Sequence, residues 1–106
     1  MYKPLPDSLT IKTSKVNGLG LFANEDIAQG TNLGMTHLKI GNTIFRTPLG
    51  GFINHADAPN CEKAELRMTS EDLQGHQYHY KKWNLITGQE IKEGKELTLK
   101  YTFYNV

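Results

Sequence analysis

Three short segments carry residue types that could do chemistry. The first is Asn17-Gly18-Leu19-Gly20-Leu21-Phe22-Ala23. Two glycines around one residue leave main-chain N–H and C=O groups open to close approach by a ligand. No third glycine opens a helix, so the segment is not a dinucleotide fingerprint. Asn-Gly is equally a hairpin signal, and the turn and ligand readings both stand. The second is Phe52-Ile53-Asn54-His55-Ala56-Asp57-Ala58-Pro59-Asn60-Cys61, too polar for a core strand. The Asn54 amide offers donors and an acceptor together, which suits a zwitterionic ligand, and His55 adds a ring; an Asx-type turn is the alternative. The third is Glu96-Leu97-Thr98-Leu99-Lys100-Tyr101-Thr102-Phe103-Tyr104, where the aromatics either close a core or line a cleft. A tyrosine in a cleft is a hydrogen-bond partner that stays neutral at pH 7.

The elements that must position these segments read as strands. Leu9-Thr10-Ile11-Lys12, Thr43-Ile44-Phe45-Arg46 and Leu97-Thr98-Leu99-Lys100-Tyr101 are rich in β-branched and aromatic residues. Ten glycines punctuate the chain, and no window sustains a helical period beyond a turn or so. Ser70 to Gly75 reads as a hairpin loop. The expectation is a mostly β fold of small sheets.

One internal similarity bears on the packing. Residues 21–33, LFANEDIAQGTNL, align without gaps on residues 85–97, LITGQEIKEGKEL. Each runs from an apolar strand to an acidic residue, a lone isoleucine, a polar step, a glycine and a second strand. Two related β-corners packed together are expected, each glycine taking a positive φ.

Composition excludes several classes. At 106 residues the chain is read as one domain, residues 1–106 with a core over about 9–104. A formal net charge of +1 argues against a general nucleic-acid or membrane-surface role. Lys81 and Lys82 beside Trp83 read as a solvated strand edge. The single cysteine, Cys61, permits no internal disulfide and no CxxC zinc site. His76 and His79, read as opposite faces of one strand, make a poor metal pair, and no metal is assigned. No signal peptide and no apolar run of roughly 20 residues is present, so a soluble intracellular protein is expected.

In this order the segments resemble the SET-domain family of protein lysine methyltransferases. Gly18-Leu19-Gly20-Leu21-Phe22-Ala23 looks like the family's G-x-G motif, and Asp26-Ile27 through Gly30-Thr31 like the turn after it. Phe52-Ile53-Asn54-His55 with Pro59-Asn60-Cys61 is similar to the central R-F-x-N-H-S-C-x-P-N-C motif. Residues 90–101 look like the C-terminal motif ending in a catalytic tyrosine. The resemblance spans about Leu9 to Tyr104.

It implies a SET, β-clip-like fold with a knot-like threading of the C-terminal segment, against the general rule. It implies a SAM-dependent protein-lysine N-methyltransferase, a minimal stand-alone member of viral or bacterial type. Gly18, Leu19, Gly20, Asn54, His55 and Tyr104 would hold S-adenosylmethionine, released as S-adenosylhomocysteine. Tyr101 would be catalytic, and Leu99 and Phe103 would line the substrate side. The partner would be a protein carrying a target lysine, histone-like in the commonest case, with no nucleic acid or membrane; some compact members complete the site as homodimers.

This sequence departs from the family pattern. Gly51 stands where arginine is common, and Ala56-Asp57 replace Ser-Cys. The middle insert, 35–48, is short, and no cysteine-rich zinc-binding lid follows Tyr104. Cys61 matches a position that often ligates that zinc but has no cysteine partners, and reads as inert. A non-catalytic SET-like interaction module is the alternative. A small oligonucleotide-binding barrel would need a basic, aromatic-lined face.

Overall fold

The computed structural model describes residues 5–16 and 18–100. The elements are β1 (Leu9–Thr13), β2 (Leu19–Ala23), β3 (Asn32–Ile40), β4 (Thr43–Arg46), α1 (Pro48–Phe52), β5 (Asn54–His55), β6 (Cys61–Glu71), β7 (Gln77–Thr87) and β8 (Glu96–Leu99). The fold is mostly β and made of small sheets, as the strand-rich sequence implies.

Among the described residues the strands form two four-stranded sheets, ordered β1-β2-β8-β5 and β4-β3-β7-β6. In the first, β2 pairs antiparallel with β1 and β8, and β5 runs parallel to β8. Strand β8 therefore lies between strands from the first quarter and the middle of the chain. The knot-like threading expected of the C-terminal segment involves residues 101–106, outside the described residues.

Leu9, Leu21, Ala23, Leu97 and Leu99 from the first sheet and Leu33, Cys61 and Leu85 from the second meet in one core with Ile27, Leu49, Ile53 and Ile91. Alternation along each strand selects which side chains enter it. In β8, Leu97 and Leu99 are buried while Glu96 and Thr98 face away, half-buried.

The internal repeat is structural. Gly30 and Gly94 have φ of 81° and 87°, the left-handed turn geometry expected of both. Gly94 N–H donates to Ala23 O and Gly30 N–H donates to Thr87 O, each at 2.8 Å. Ala23 and Thr87 are equivalent in the alignment, so each corner closes onto the strand of the other. Ala23 N–H to Lys95 O and Thr87 N–H to Thr31 O repeat the relation.

The short α1 exists because Thr47 and Pro48 start it and Gly50 lets it dock. Thr47 is the N-cap, with its Oγ1 3.3 Å from Gly50 N. Proline follows at the first helical position, where its missing N–H costs nothing. A Cβ on Gly50 would collide with Thr36 O and stand 3.0 Å from His37 Cε1. Thr47 N–H also bonds Thr36 O at 2.9 Å. One turn of helix is thus pinned to β3 and delivers Ile53 to the core and Asn54 to β5.

Several expectations are corrected. β7 is an inner strand between β3 and β6, so Lys81 and Lys82 are not at a strand edge; they project to opposite faces, and Trp83 is buried. The hairpin ladder runs on through Ser70 and Glu71 against Tyr78 and Gln77, so its loop is 72–76 rather than 70–75. His76 lies in that loop, 3.4 Å from Asp72, and does not share a strand with His79. The segment 52–61 contains a strand after all: Asn54-His55 pairs with Thr98-Leu99.

Candidate functional site

The three chemistry-bearing segments converge on the first sheet. Leu21 pairs with Leu97 and Phe22 with Glu96, which brings the glycine segment beside the C-terminal one. Asn54 pairs with Thr98 and His55 with Leu99 on the other side of β8. Since paired residues share a face, Gly20, Asn54, Glu96 and Thr98 lie on one face, and His55 and Leu99 on the core-facing side.

The two glycines do different work. Gly18, φ 45°, has open space where a Cβ would stand, and its carbonyl accepts from Ser14 N–H at 2.8 Å. It is a turn residue closing the β1–β2 hairpin. Gly20 is a packing residue: a Cβ there would collide with Glu96 Oε2 and stand 3.0 Å from Asn54 Nδ2. The room it leaves is filled by these two side chains. Leu19 between them is half exposed and contributes its carbonyl.

Asn54 is buried, and its Nδ2 donates to Leu19 O at 3.1 Å and to Glu96 Oε2 at 2.9 Å. Ser14 Oγ lies 2.8 Å from both carboxylate oxygens of Glu96. Strand β2, the preceding turn, β5 and β8 are thereby tied at one carboxylate. The sequence reading missed Glu96 and Ser14. A charged residue opening a strand looks like a solvated end, and only the cross-strand register aims it at Gly20.

Asn60 of the Pro59-Asn60-Cys61 run is a latch. Its Nδ2 donates to Glu96 O at 2.9 Å and its Oδ1 accepts from Thr98 N–H at 2.8 Å. One side-chain amide so imitates a neighbouring strand and fixes the ends of β8. His55 is half-buried, with Nε2 3.2 Å from Asp57 Oδ1. Leu99 is 3% exposed and packs in the core. Tyr101, Phe103 and Tyr104 lie outside the described residues.

Cys61 is buried at the start of β6, and burial pushes its thiol up to about 12, against a lesser lowering by the Thr98 main chain. It is a core residue with the reactivity of a small hydrophobe at neutral pH. His37 is buried under α1, and desolvation, with Lys63 and Arg46 nearby, lowers it to about 4. Its neighbour Thr36 donates Oγ1–H to Trp83 O at 3.1 Å, so His37 Nδ1, 3.0 Å from that Oγ1, is the donor of its pair.

Two cavities stand apart from this node. One of about 440 Å³ is lined by Leu5, Leu33, Met35 and Leu49 among others. One of about 460 Å³ lies on the projecting part of the second sheet, with Lys39, Arg67, His79 and Lys81 in its wall. Neither includes Gly20, Asn54, His55 or Leu99. No helix among the described residues is long and apolar enough to cross a membrane.

No protein-family profile matches the chain. No curated protein matches it in sequence. A crystal structure of a Plasmodium falciparum protein, provisionally named a histone methyltransferase, matches in fold with a TM-score of 0.64. The match covers 92% of this chain and 96% of that one at 16% identity. At that identity the likeness is one of architecture: this chain has the small-sheet β fold of a protein carrying a methyltransferase name.

Proposed function

We propose that the chain is a protein lysine N-methyltransferase of the SET type, using S-adenosylmethionine. The observation that carries the reading is the convergence of Gly20, Asn54 and the strand leading to Tyr101 on one face of a single sheet. The fold shared with a methyltransferase-named structure supports it.

The residues present fit such a ligand. Asn54 would offer an amide fixed by Leu19 and Glu96, beside the main chain of β5 at the edge of the sheet. When bound, S-adenosylmethionine supplies an electrophilic methyl group. The protein's task is to present an uncharged amine in line with it. A lysine of ordinary pKa near 10.4 is neutral in only about one molecule in 2,500 at pH 7. An apolar channel disfavours the ammonium, and a nearby positive charge disfavours it further. Alignment of the neutral amine then supplies the gain from positioning. Tyr101 orients that amine as a hydrogen-bond partner, since its own pKa near 10 makes it a poor base.

Titration calorimetry with S-adenosylmethionine, followed by transfer of its labelled methyl to protein lysines in a lysate, tests the reading. Binding together with lysine labelling is expected. A chain that binds no S-adenosylmethionine is not this enzyme.

A second reading, an interaction module without catalysis, draws on the outer face of the second sheet. There Phe45, Leu66, Ile40 and Tyr78 are 52%, 41%, 43% and 45% exposed on neighbouring strands. Calorimetry separates the two, because the module has no use for the cofactor.

A further inference from the structure

The second sheet carries a row of positive charge. Lys39 of β3 stands directly opposite Lys81 of β7, which stands directly opposite Arg67 of β6. Paired residues share a face, so three cationic side chains stand abreast on three neighbouring strands. Like charges placed opposite one another on a sheet are destabilising. Lys39 and Lys81 are also half-buried, which raises the cost of holding two ammonium groups there. Neither has an acidic partner among the described residues. With a formal net charge of +1 over 106 residues, composition does not force such a cluster.

The same face supplies further donors and a hollow to hold a ligand. Nearer the body of the protein it is closed by the buried Leu85 and Trp83. Further out, Lys81 and His79 continue it and line a cavity of about 460 Å³ with Lys39, Arg67 and Thr69. Thr69 Oγ1 lies 3.0 Å from His79 Nδ1; when the hydroxyl donates, the ring proton stands on Nε2 as a further donor. Two carboxylates share the face. Glu65 Oε2 lies 3.5 Å from Arg67 Nε, an exposed pair of little strength, and Glu71 stands one same-face step beyond Thr69. Glu65 offsets one charge of the row and neither lysine.

We propose that this face is a binding site for a phosphate monoester. Such a group carries close to two negative charges at pH 7 and three acceptor oxygens. Strands lie about 4.8 Å apart, so the two ammonium groups and the guanidinium reach it from three adjacent strands. Arg67 meets two oxygens with its planar fork, and the lysines act as point charges. A carboxylate, with one charge and two oxygens, answers fewer of these donors. The phosphate is borne by a protein side chain or by a small metabolite, and the chemistry of the site is the same for both. A nucleic-acid strand would need charge extended along a groove with stacking aromatics, whereas Glu65 and Glu71 flank this row on β6. The site is separate from the Gly20, Asn54 and Glu96 node and does not depend on the methyltransferase reading.

The test is calorimetry on the full chain with a short phosphoserine peptide, its unphosphorylated form and free phosphoserine. Binding of the phosphorylated peptide, and not of the unphosphorylated one, is expected. Free phosphoserine that binds at least as tightly as the peptide assigns the small-molecule source; a tighter peptide assigns the protein source. Lys81→Gln and Arg67→Gln are each expected to weaken binding roughly ten- to a hundredfold, the worth of hydrogen bonds to a charged group. Lys82→Gln removes the same charge from the opposite face of the same strand and is expected to leave affinity within about twofold. A fall as large in Lys82→Gln as in Lys81→Gln shows attraction by overall charge and overturns the proposal. Equal binding of the two peptides, no binding of either phosphoserine form, or tighter binding of a thymidine oligonucleotide overturns it as well. If Lys81→Gln or Arg67→Gln loses its thermal transition, Lys39→Gln reads the same loss of affinity.

Discussion

Ile27 and Ile91 bond to each other through their main chains. Ile27 N–H donates to Ile91 O at 2.7 Å and Ile91 N–H donates to Ile27 O at 2.8 Å. Both side chains are buried, 4% and 2% exposed. They are equivalent in the internal repeat, so this reciprocal pair marks a local two-fold relation between the corners at 21–33 and 85–97. Each corner satisfies polar groups that the other would otherwise bury unpaired.

Equivalence of the corners predicts equal costs for Gly30→Ala and Gly94→Ala. Neither added methyl meets a neighbour, so the cost is the left-handed backbone alone. About 1–2 kcal/mol each is expected in urea unfolding. A difference between the two variants larger than that would show that the corners are not energetically equivalent.

Gly20→Ala should behave differently from these turns, because its methyl collides with Glu96 and Asn54 rather than with its own backbone. A loss of roughly 1–3 kcal/mol is expected from overpacking. Affinity for S-adenosylmethionine should fall with it. Gly18→Ala, with open space around it, should cost stability through its φ of 45° and leave affinity nearly intact. Parallel denaturation and calorimetry on the two variants check the contrast.

Acid should destabilise the fold through His37. Its folded value is lowered to about 4 from 6.5, chiefly by desolvation, so the neutral ring is the folded form. The unfolded chain binds the proton first as pH falls. The contribution is fully present above about pH 6.5 and is lost between there and about pH 4. On the order of 3 kcal/mol is at stake. Urea midpoints across that range, in the native chain and in His37→Gln, measure it; the variant should show the flatter profile.

Cys61 should resist thiol reagents until the chain unfolds. Its value is raised to about 12 from 9.0, so the thiolate that reacts is suppressed. The linkage has the opposite sense to that of His37: the contribution is present below about pH 9 and fades as pH climbs toward 12. Labelling with an aromatic disulfide at pH 8 is expected to be slow in buffer and complete in denaturant. Fast native labelling would place the thiol at the surface.

Tyr101→Phe is expected to leave S-adenosylmethionine binding intact and lower turnover by roughly tenfold or more, the loss of an orienting hydrogen bond. Unchanged turnover would remove Tyr101 from the active site.

Much of the architecture follows from local chemistry. β-branched runs place strands at Leu9–Thr13 and Thr43–Arg46. A proline after a capping threonine starts one turn of helix, and the glycines at 30 and 94 turn the chain because other residues resist their φ. The repeat, too, is legible as a pattern of residue types. These are properties of a few neighbours in sequence, and sequence records them directly.

Tertiary structure decided what the polar residues do. Nothing near Glu96 in the chain distinguishes it from any charged strand end; its partner Asn54 is 42 residues away and Ser14 is 82. Asn60 is a latch on β8, because its partners Glu96 and Thr98 arrive from the far end of the chain. The space beside Gly20 is taken up by side chains of β5 and β8, which reach it from distant parts of the chain. Hydrogen-bond partners are set by register between strands, and register follows from burying alternate side chains across a whole sheet. That is a property of the packed molecule, which no single segment carries.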